Sequence, residues 1–357
     1  MRSLILLSFL LCLSADLFAQ PDTTNKLSFF GYVEAYYVKE ADSPPGNQRP
    51  AFLYNHNRHD QANINLALAK LFYAGRQFRF NAGIMLGTYP VYNLAGEPVV
   101  LNRVYELNAG IRLGVKKHIW LDGGIMASHI GFESALGKDG PTLSRSIVAD
   151  NSPYYETGGR LSFQSDDKKI FLAVLALNGW QRIATKIDKG AFGTGVQVMI
   201  TPNDQLTINY SNYVGNGTAT KRLRHYHNIY TIFSPGEKWK IIAGLDAGFQ
   251  KKESDDGQES WFSPVLITGY SISKKIKIAT RAEYFHDENN VIITTLADLP
   301  FHTWGFSGNI DFTLLKNCLL RMEYRAFKSR YAIFEDNNGF SRYNKAIAFA
   351  LVLWFDD

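Results

Sequence analysis

Cysteine is nearly missing from this chain. Its two representatives are Cys12 and Cys318, and Cys12 lies in an apolar N-terminal stretch that reads as a removable export signal, so the processed chain keeps one thiol and forms no internal disulfide. Long apolar runs are lacking as well. No later run exceeds Leu4 to Leu13, too short for the ~18 residues a spanning helix needs, which argues against an inner-membrane helical protein. The mean hydropathy of -0.16 fits a chain that is apolar on one face only. Runs of five or more basic residues are absent and the formal net charge is a mild +5, so nucleic acid is not an expected partner. No phosphate-binding glycine loop is present, and Gly305-Phe306-Ser307-Gly308 fails the nucleophile-elbow pattern. Neither a cofactor nor enzymatic activity is expected.

What the sequence does contain is a repeating unit. A strand-like run, a very short turn, a second run and a longer polar loop recur about eight times between residues 29 and 355. Turn chemistry is clear at Tyr73-Ala74-Gly75-Arg76, Thr201-Pro202-Asn203-Asp204, Ser234-Pro235-Gly236-Glu237-Lys238 and Leu315-Lys316-Asn317. Seven such turns and eight longer loops imply about sixteen strands, with fourteen or eighteen as the neighbouring counts.

Within the runs, side chains alternate as a sheet between two different solvents requires. Leu320, Met322, Tyr324 and Ala326 interleave with Arg321, Glu323, Arg325 and Phe327, and Ile276, Ile278, Ala282 and Tyr284 with Lys277, Arg281 and Glu283. The last run places Ile347, Phe349, Leu351, Leu353 and Phe355 on one face. A soluble sandwich has strands of about 5–6 residues, whereas these runs are about 10 to 13 long, enough to cross a bilayer when tilted. Charges in mid-strand, costly in a sandwich core, are at home against a water-filled lumen. The expected fold is therefore an all-β, transmembrane up-and-down antiparallel barrel with short periplasmic turns and long extracellular loops. Its aromatic girdles draw on Tyr36, Tyr37, Phe72, Tyr73, Trp120, Tyr210, Tyr213, Phe233, Trp239, Tyr284, Trp304 and Phe355.

Residues 1–19 read as a signal peptide, with Arg2 as its positive start and Leu17-Phe18-Ala19 before the cleavage point; residues 20–28 form a periplasmic lead and residues 29–357 the barrel. The inward-facing set expected to line the lumen is Glu34, Arg79, Glu106, Arg112, Asp122, Arg160, Asp246, Lys277, Arg281, Glu283, Arg321, Glu323 and Arg325. The longest loop, about His129 to Tyr154, carries Glu133, Lys138, Asp139, Arg145 and Asp150, a mixed-charge set suited to a loop that folds inward and constricts the lumen. The pairs His56 with His59 and His225 with His227 have ligand-like spacing but no accompanying carboxylate or cysteine set, so no metal is expected. Phe355 is read as the C-terminal aromatic used in assembly, followed by Asp356 and Asp357.

Several segments resemble the OmpL-like β-barrel porin family of Gram-negative outer membranes. They are Phe29-Phe30-Gly31-Tyr32-Val33-Glu34-Ala35-Tyr36-Tyr37, Phe52-Leu53-Tyr54-Asn55-His56-Asn57-Arg58, Asn151-Ser152-Pro153-Tyr154-Tyr155-Glu156-Thr157-Gly158, Asn178-Gly179-Trp180 and the Arg-x-Glu-Tyr segments at 281 and 321. The resemblance implies an outer-membrane location and a porin-like role, with lipid, the barrel-assembly machinery and small polar solutes or ions as partners. Nothing in the sequence selects an oligomeric state. Passive diffusion is the leading expectation; a narrow or plugged barrel serving as adhesin or anchor is the alternative, marked by Trp180, Phe285, Phe327 and Trp354. A lipid-modifying barrel enzyme is the third.

Overall fold

The computed structural model describes residues 25–114, 117–184, 192–216, 222–252, 257–337 and 339–357. The expected signal peptide lies outside them. The strands are β1 (Lys26–Glu40), β2 (Ala62–Ala74), β3 (Phe78–Leu86), β4 (Val104–Arg112), β5 (His118–Ala127), β6 (Tyr155–Gln164), β7 (Ile170–Leu177), β8 (Gly193–Asn203), β9 (Leu206–Asn216), β10 (Leu223–Phe233), β11 (Trp239–Lys251), β12 (Gln258–Ser271), β13 (Ile276–Asp287), β14 (Phe301–Leu315), β15 (Cys318–Ser329), β16 (Phe334–Asp336), β17 (Gly339–Ser341) and β18 (Tyr343–Asp356). All but β16 and β17 pair antiparallel in chain order into one closed barrel, β18 returning to β1; β16 and β17 form a small hairpin in the last loop. Sixteen strands is the count the turn pattern implied. β1 begins at Lys26, inside the stretch read as the lead.

Closure is a consequence of the backbone's hydrogen-bonding demand: in lipid every N–H and C=O must find a partner within the sheet, and only a sheet without edges provides one. The seam runs from Phe30 opposite Asp356 to Glu40 opposite Ala346. Beyond it, Lys26 Nζ donates to the Asp357 backbone oxygen (3.1 Å) and Phe29 N–H to Asp357 Oδ1 (2.9 Å), so the two ends of the barrel meet.

Alternation decides which side chain faces outward. Ile84, Leu107, Ile111, Val174, Ile229, Leu266, Phe306, Leu320 and Tyr324 stay exposed on the outer wall, a belt that in water would be untenable. The run Ile170 to Leu177, apolar on both faces, is a genuine strand: Phe171, Ala173, Leu175 and Leu177 pack inward, while Ile170, Leu172 and Val174 face out. Pro264 also fits within β12. It stands opposite Tyr284 but has no N–H to donate, and Ser263 Oγ supplies the missing donor to the Tyr284 carbonyl at 2.8 Å.

Three expected girdle aromatics turn inward instead. Tyr36, Trp120 and Tyr213 are buried in the barrel interior, because an aromatic suits either face and residue type alone does not say which face is the wet one. Tyr105, which strand alternation puts on the same outward face as Leu107, packs with the interior cluster that includes Tyr89. A bulge between Gly83 and Ile84 leaves it without a partner in the ladder and swings it across. Tyr284 and Trp304, by contrast, stack side by side on the outside with ring centroids 4.7 Å apart.

Candidate functional site

The loop between β5 and β6 does not project into solvent; it descends into the barrel. At its root His129 is clamped by both ring nitrogens, Nδ1 against Glu156 (2.8 Å) and Nε2 against the Asn212 carbonyl (2.7 Å). The Glu156 carboxylate outweighs the effect of burial and lifts the imidazole pKa above its ordinary value. Gly131 N–H then reaches Asn228 Oδ1 (3.2 Å), and Phe132 packs edge-on to Tyr230 over Gly244, where any Cβ would lie 2.4 Å from its ring. The far tip is Gly137, whose N–H donates to the Tyr32 hydroxyl (3.0 Å) beneath Glu34. A Cβ there would meet Glu34 Oε2 at 2.2 Å, so only glycine lets the tip approach this wall.

The wall charges expected to face water grip this loop instead. Arg321 forms a two-pronged pair with Asp311 (2.8 and 2.9 Å) and donates to the carbonyls of Gly137 and Gly140, the latter at 2.9 Å. Arg281 binds the Ser144 carbonyl (2.6 Å), the Ser144 hydroxyl (3.0 Å) and Thr142 Oγ1 (3.0 Å). Glu323 accepts from Ser144 N–H (2.7 Å) and Glu283 from Ile147 N–H (2.5 Å), at the start of the short helix α1 (Ile147–Asp150). Arg325 pairs with Glu283 (2.7 Å) and Arg281 with Glu323 (3.1 Å). The five Arg and Glu residues of β13 and β15 are thus one network, each residue nearly free of solvent exposure. Charges buried this deeply persist only when paired and hydrogen-bonded, and the loop backbone supplies the second half of that requirement.

The loop's own charged residues are all inside. Glu133 accepts from Ser146 through its N–H and hydroxyl, and burial raises its carboxyl pKa although Arg281 and Arg145 pull it down. Lys138 pairs with Asp139 (2.7 Å) and lies over the rings of Phe30 and Trp354. Arg145 stacks on Tyr154, 3.7 Å from the ring centre, and Asp150 accepts from Asn55 (2.8 Å) and Tyr54 N–H (3.2 Å). Asn55 belongs to a second inserted loop, residues 41–61, missed as an insert by the sequence reading. Glu34, expected in the lumen wall, is its anchor: it contacts His56 Nε2 and Asn65 Nδ2 (2.9 Å). From the same loop Phe52 wedges edge-on between Phe301 and Phe327. Between the inserts and the Glu34 wall a cavity of about 10 Å³ remains, room for roughly one water.

On the opposite arc, β2 to β6, the wall charges pair with one another. There Lys70 pairs with Glu106 (3.1 Å), and Asp122 is shared by Arg79 (2.6 Å) and Arg160 (3.3 Å), while the side chains of Lys70, Arg79 and Arg160 keep 15%, 13% and 16% of their exposure. Lys70 was not singled out from the sequence because it shares its strand face with Leu66 and Leu68, whose apolar side chains disguise that face as an outward one. Arg112 sits near the periplasmic rim, bound to the Lys117 carbonyl (3.3 Å) and His118 (3.1 Å). Lys277 lies at the same rim and is exposed, outside the mid-barrel network. Asp246 is buried against Asn228.

The histidine pairs separate as their neighbours dictate. His59 is held by the Pro44 carbonyl (3.0 Å) and Asp60 (2.9 Å), and His227 by the Tyr210 hydroxyl (2.8 Å).

The model of the family described as putative beta-barrel porin-2, OmpL-like, matches residues 26–355. No curated protein matches the sequence. Among solved structures, the anion-selective porin from Comamonas acidovorans shares 8% identity with a TM-score of 0.61, over 93% of this chain and 100% of that one. The outer membrane channel DcaP of Acinetobacter baumannii shares 11% with a TM-score of 0.60 (92% and 96% covered), and in-vitro folded OmpT, an outer membrane protein of Vibrio cholerae, 8% with 0.59 (92% and 97%). At these identities the likeness is one of fold.

Proposed function

We propose that this chain, which belongs to the OmpL-like family of β-barrel porins through its match over residues 26–355, is a narrow diffusion channel of the outer membrane for small hydrophilic solutes and ions. The observation that carries this reading is the asymmetry of the interior. One sector, β7 through β18 to β1, is filled by the inserted loops and apolar side chains, and the other, β2 to β6, keeps partly hydrated polar groups on its wall. Solute passes between the loop 128–154 and that second wall, through a slot whose walls are Lys70, Arg79, Asn81, Glu106, Asn108, Asp122 and Arg160. Three cations against two carboxylates leave a net charge of +1, and Arg112 adds another below, so weak anion preference follows from wall charge at close quarters.

In this reading residues 1–19 direct export, residues 20–28 begin the periplasmic end and the remainder is the barrel. The outer belt meets outer-membrane lipid. Phe355, 60% exposed on the outer face and stacked over Gly31, serves as the aromatic recognised by the barrel-assembly machinery. Conductance of the refolded protein in a planar bilayer tests the proposal: discrete steps with a modest anion preference in a salt gradient are expected. One observation favours a second reading, a plugged barrel acting through its loops. The upper interior is packed with Trp180, Tyr213, Tyr226 and Trp261, with Arg224 between the two indoles. Electrical silence of protein that is folded by circular dichroism would decide for it.

A further inference from the structure

We propose that His286, Glu288 and His302 form a binding site for one divalent transition-metal ion of the Zn²⁺ class, on the outer face of the barrel at its extracellular rim. His286 and His302 stand directly opposite each other across the β13–β14 pair, with ring centroids 4.1 Å apart, and Glu288 follows immediately after the end of β13. One ligand atom from each of the three lies within 4.8 Å of the other two. Tetrahedral zinc at about 2.0–2.1 Å from nitrogen and carboxylate oxygen needs its ligand atoms roughly 3.3 Å apart, which small side-chain rotations provide here.

The independent sign of a ligand is His302. The residue is only 5% exposed, and its Nε2 is buried with Glu288 as its one ion-pair partner among the described residues. That nitrogen lies 2.7 Å from Glu288 Oε2, an ion-pair contact, so a ring nitrogen and a carboxylate oxygen already converge on one place. A metal ion would take the place of that contact and add His286, whose ligand atom lies in the same cluster. His286 Nδ1 and Nε2 are the remaining donors, their ring held between His302 and Phe262, whose centroid is 5.0 Å away.

The surroundings hold the ligands in place as metal sites require. The His302 carbonyl accepts from Arg330 N–H (2.9 Å) and Ser329 Oγ (3.2 Å), and Tyr331 packs edge-on against the imidazole. Asp287 turns inward and binds the N–H groups of Val291, Ile292 and Ile293, fixing the loop that carries Glu288. Two imidazoles and one carboxylate suit zinc, nickel or copper better than calcium or magnesium, which prefer all-oxygen shells. With three protein ligands the ion keeps one open position, on the solvent side where the Glu288 side chain is half exposed. Bound there, it fastens the tops of β13 and β14 to the loop 288–300.

Isothermal titration of untagged, detergent-folded protein with ZnCl₂ tests this. One zinc per chain is expected, and removing one ligand should weaken binding by at least the roughly 10–100-fold that follows loss of a supporting contact. His286→Ala/His302→Ala should abolish it, whereas His225→Ala/His227→Ala should leave stoichiometry and affinity unchanged. Glu288→Ala alters only a half-exposed side chain and therefore decides the matter should the double histidine variant fold poorly. Absence of saturable binding to the folded parent, or unchanged affinity in Glu288→Ala, overturns the proposal.

Discussion

Arg321 is where the docking of the inserted loop can be measured. Arg321→Met together with Asp311→Asn removes the wall pair as a unit, so no buried charge is orphaned, and the asparagine keeps an acceptor for Asn309 Nδ2, now 2.8 Å away. The loop loses the two bonds from the guanidinium to the carbonyls of Gly137 and Gly140. Hydrogen bonds to a charged partner contribute about 1.5–3 kcal/mol each, hence about 3–6 kcal/mol together. At 1.36 kcal/mol per decade, the ratio of docked to released tip falls by about two to four orders of magnitude. Ser144, Thr142 and Ile147 remain held by Arg281, Glu323 and Glu283, so the release is confined to the tip, residues 136–141. In single-channel recordings the variant should show a larger unit conductance with rapid closures. If the folded variant conducts with the unit conductance and open-state noise of the parent, these bonds do not set the aperture and the reasoning is wrong.

Three further outcomes are expected. His129 has a folded-state pKa raised by Glu156, so its contribution is complete below the unfolded value of about 6.5 and is lost as pH rises through the raised one; gating noise should grow with alkalinity in the parent, and His129→Asn should abolish that dependence. Arg79→Ala leaves Asp122 with Arg160 alone and removes one positive charge from the slot; reversal potentials in a salt gradient should shift toward cation preference, and an unchanged potential would place the conducting path elsewhere. Gly31→Leu puts a side chain where a Cβ already lies 1.9 Å from the Phe355 ring, so the yield of heat-modifiable, folded barrel in outer membranes should drop several-fold while unfolded precursor accumulates; normal yield would mean that Phe355 moves aside without consequence.

The barrel was legible in the sequence because its cause is local. Two solvents on two faces impose a period of two, and tight turns need Gly, Asn, Asp and Pro within a few residues, so both strand number and the facing of Leu320 to Phe327 follow from neighbours in the chain. The inward charged residues were legible for the same reason, but their occupation was not. Whether Arg321 meets water or the Gly137 carbonyl depends on a contact 184 residues distant, for which alternation carries no signal. The same holds for Glu34 and His56. Tyr105 escaped because one bulge resets parity locally, and Tyr36, Trp120 and Tyr213 because an aromatic suits an interfacial girdle and a packed interior equally well.

The seam between β1 and β18, where Lys26 and Phe29 reach Asp357, makes the barrel's beginning and end neighbours at one rim. The polypeptide is therefore a ring cut once, and the cut need not be where it is. Joining the two ends by a short linker and opening the chain instead at a long loop, for instance between β13 and β14, leaves every ladder of the sheet intact while changing which strand is made last. A permuted chain of this kind would separate the chemistry of the terminal strand from the chemistry of being terminal.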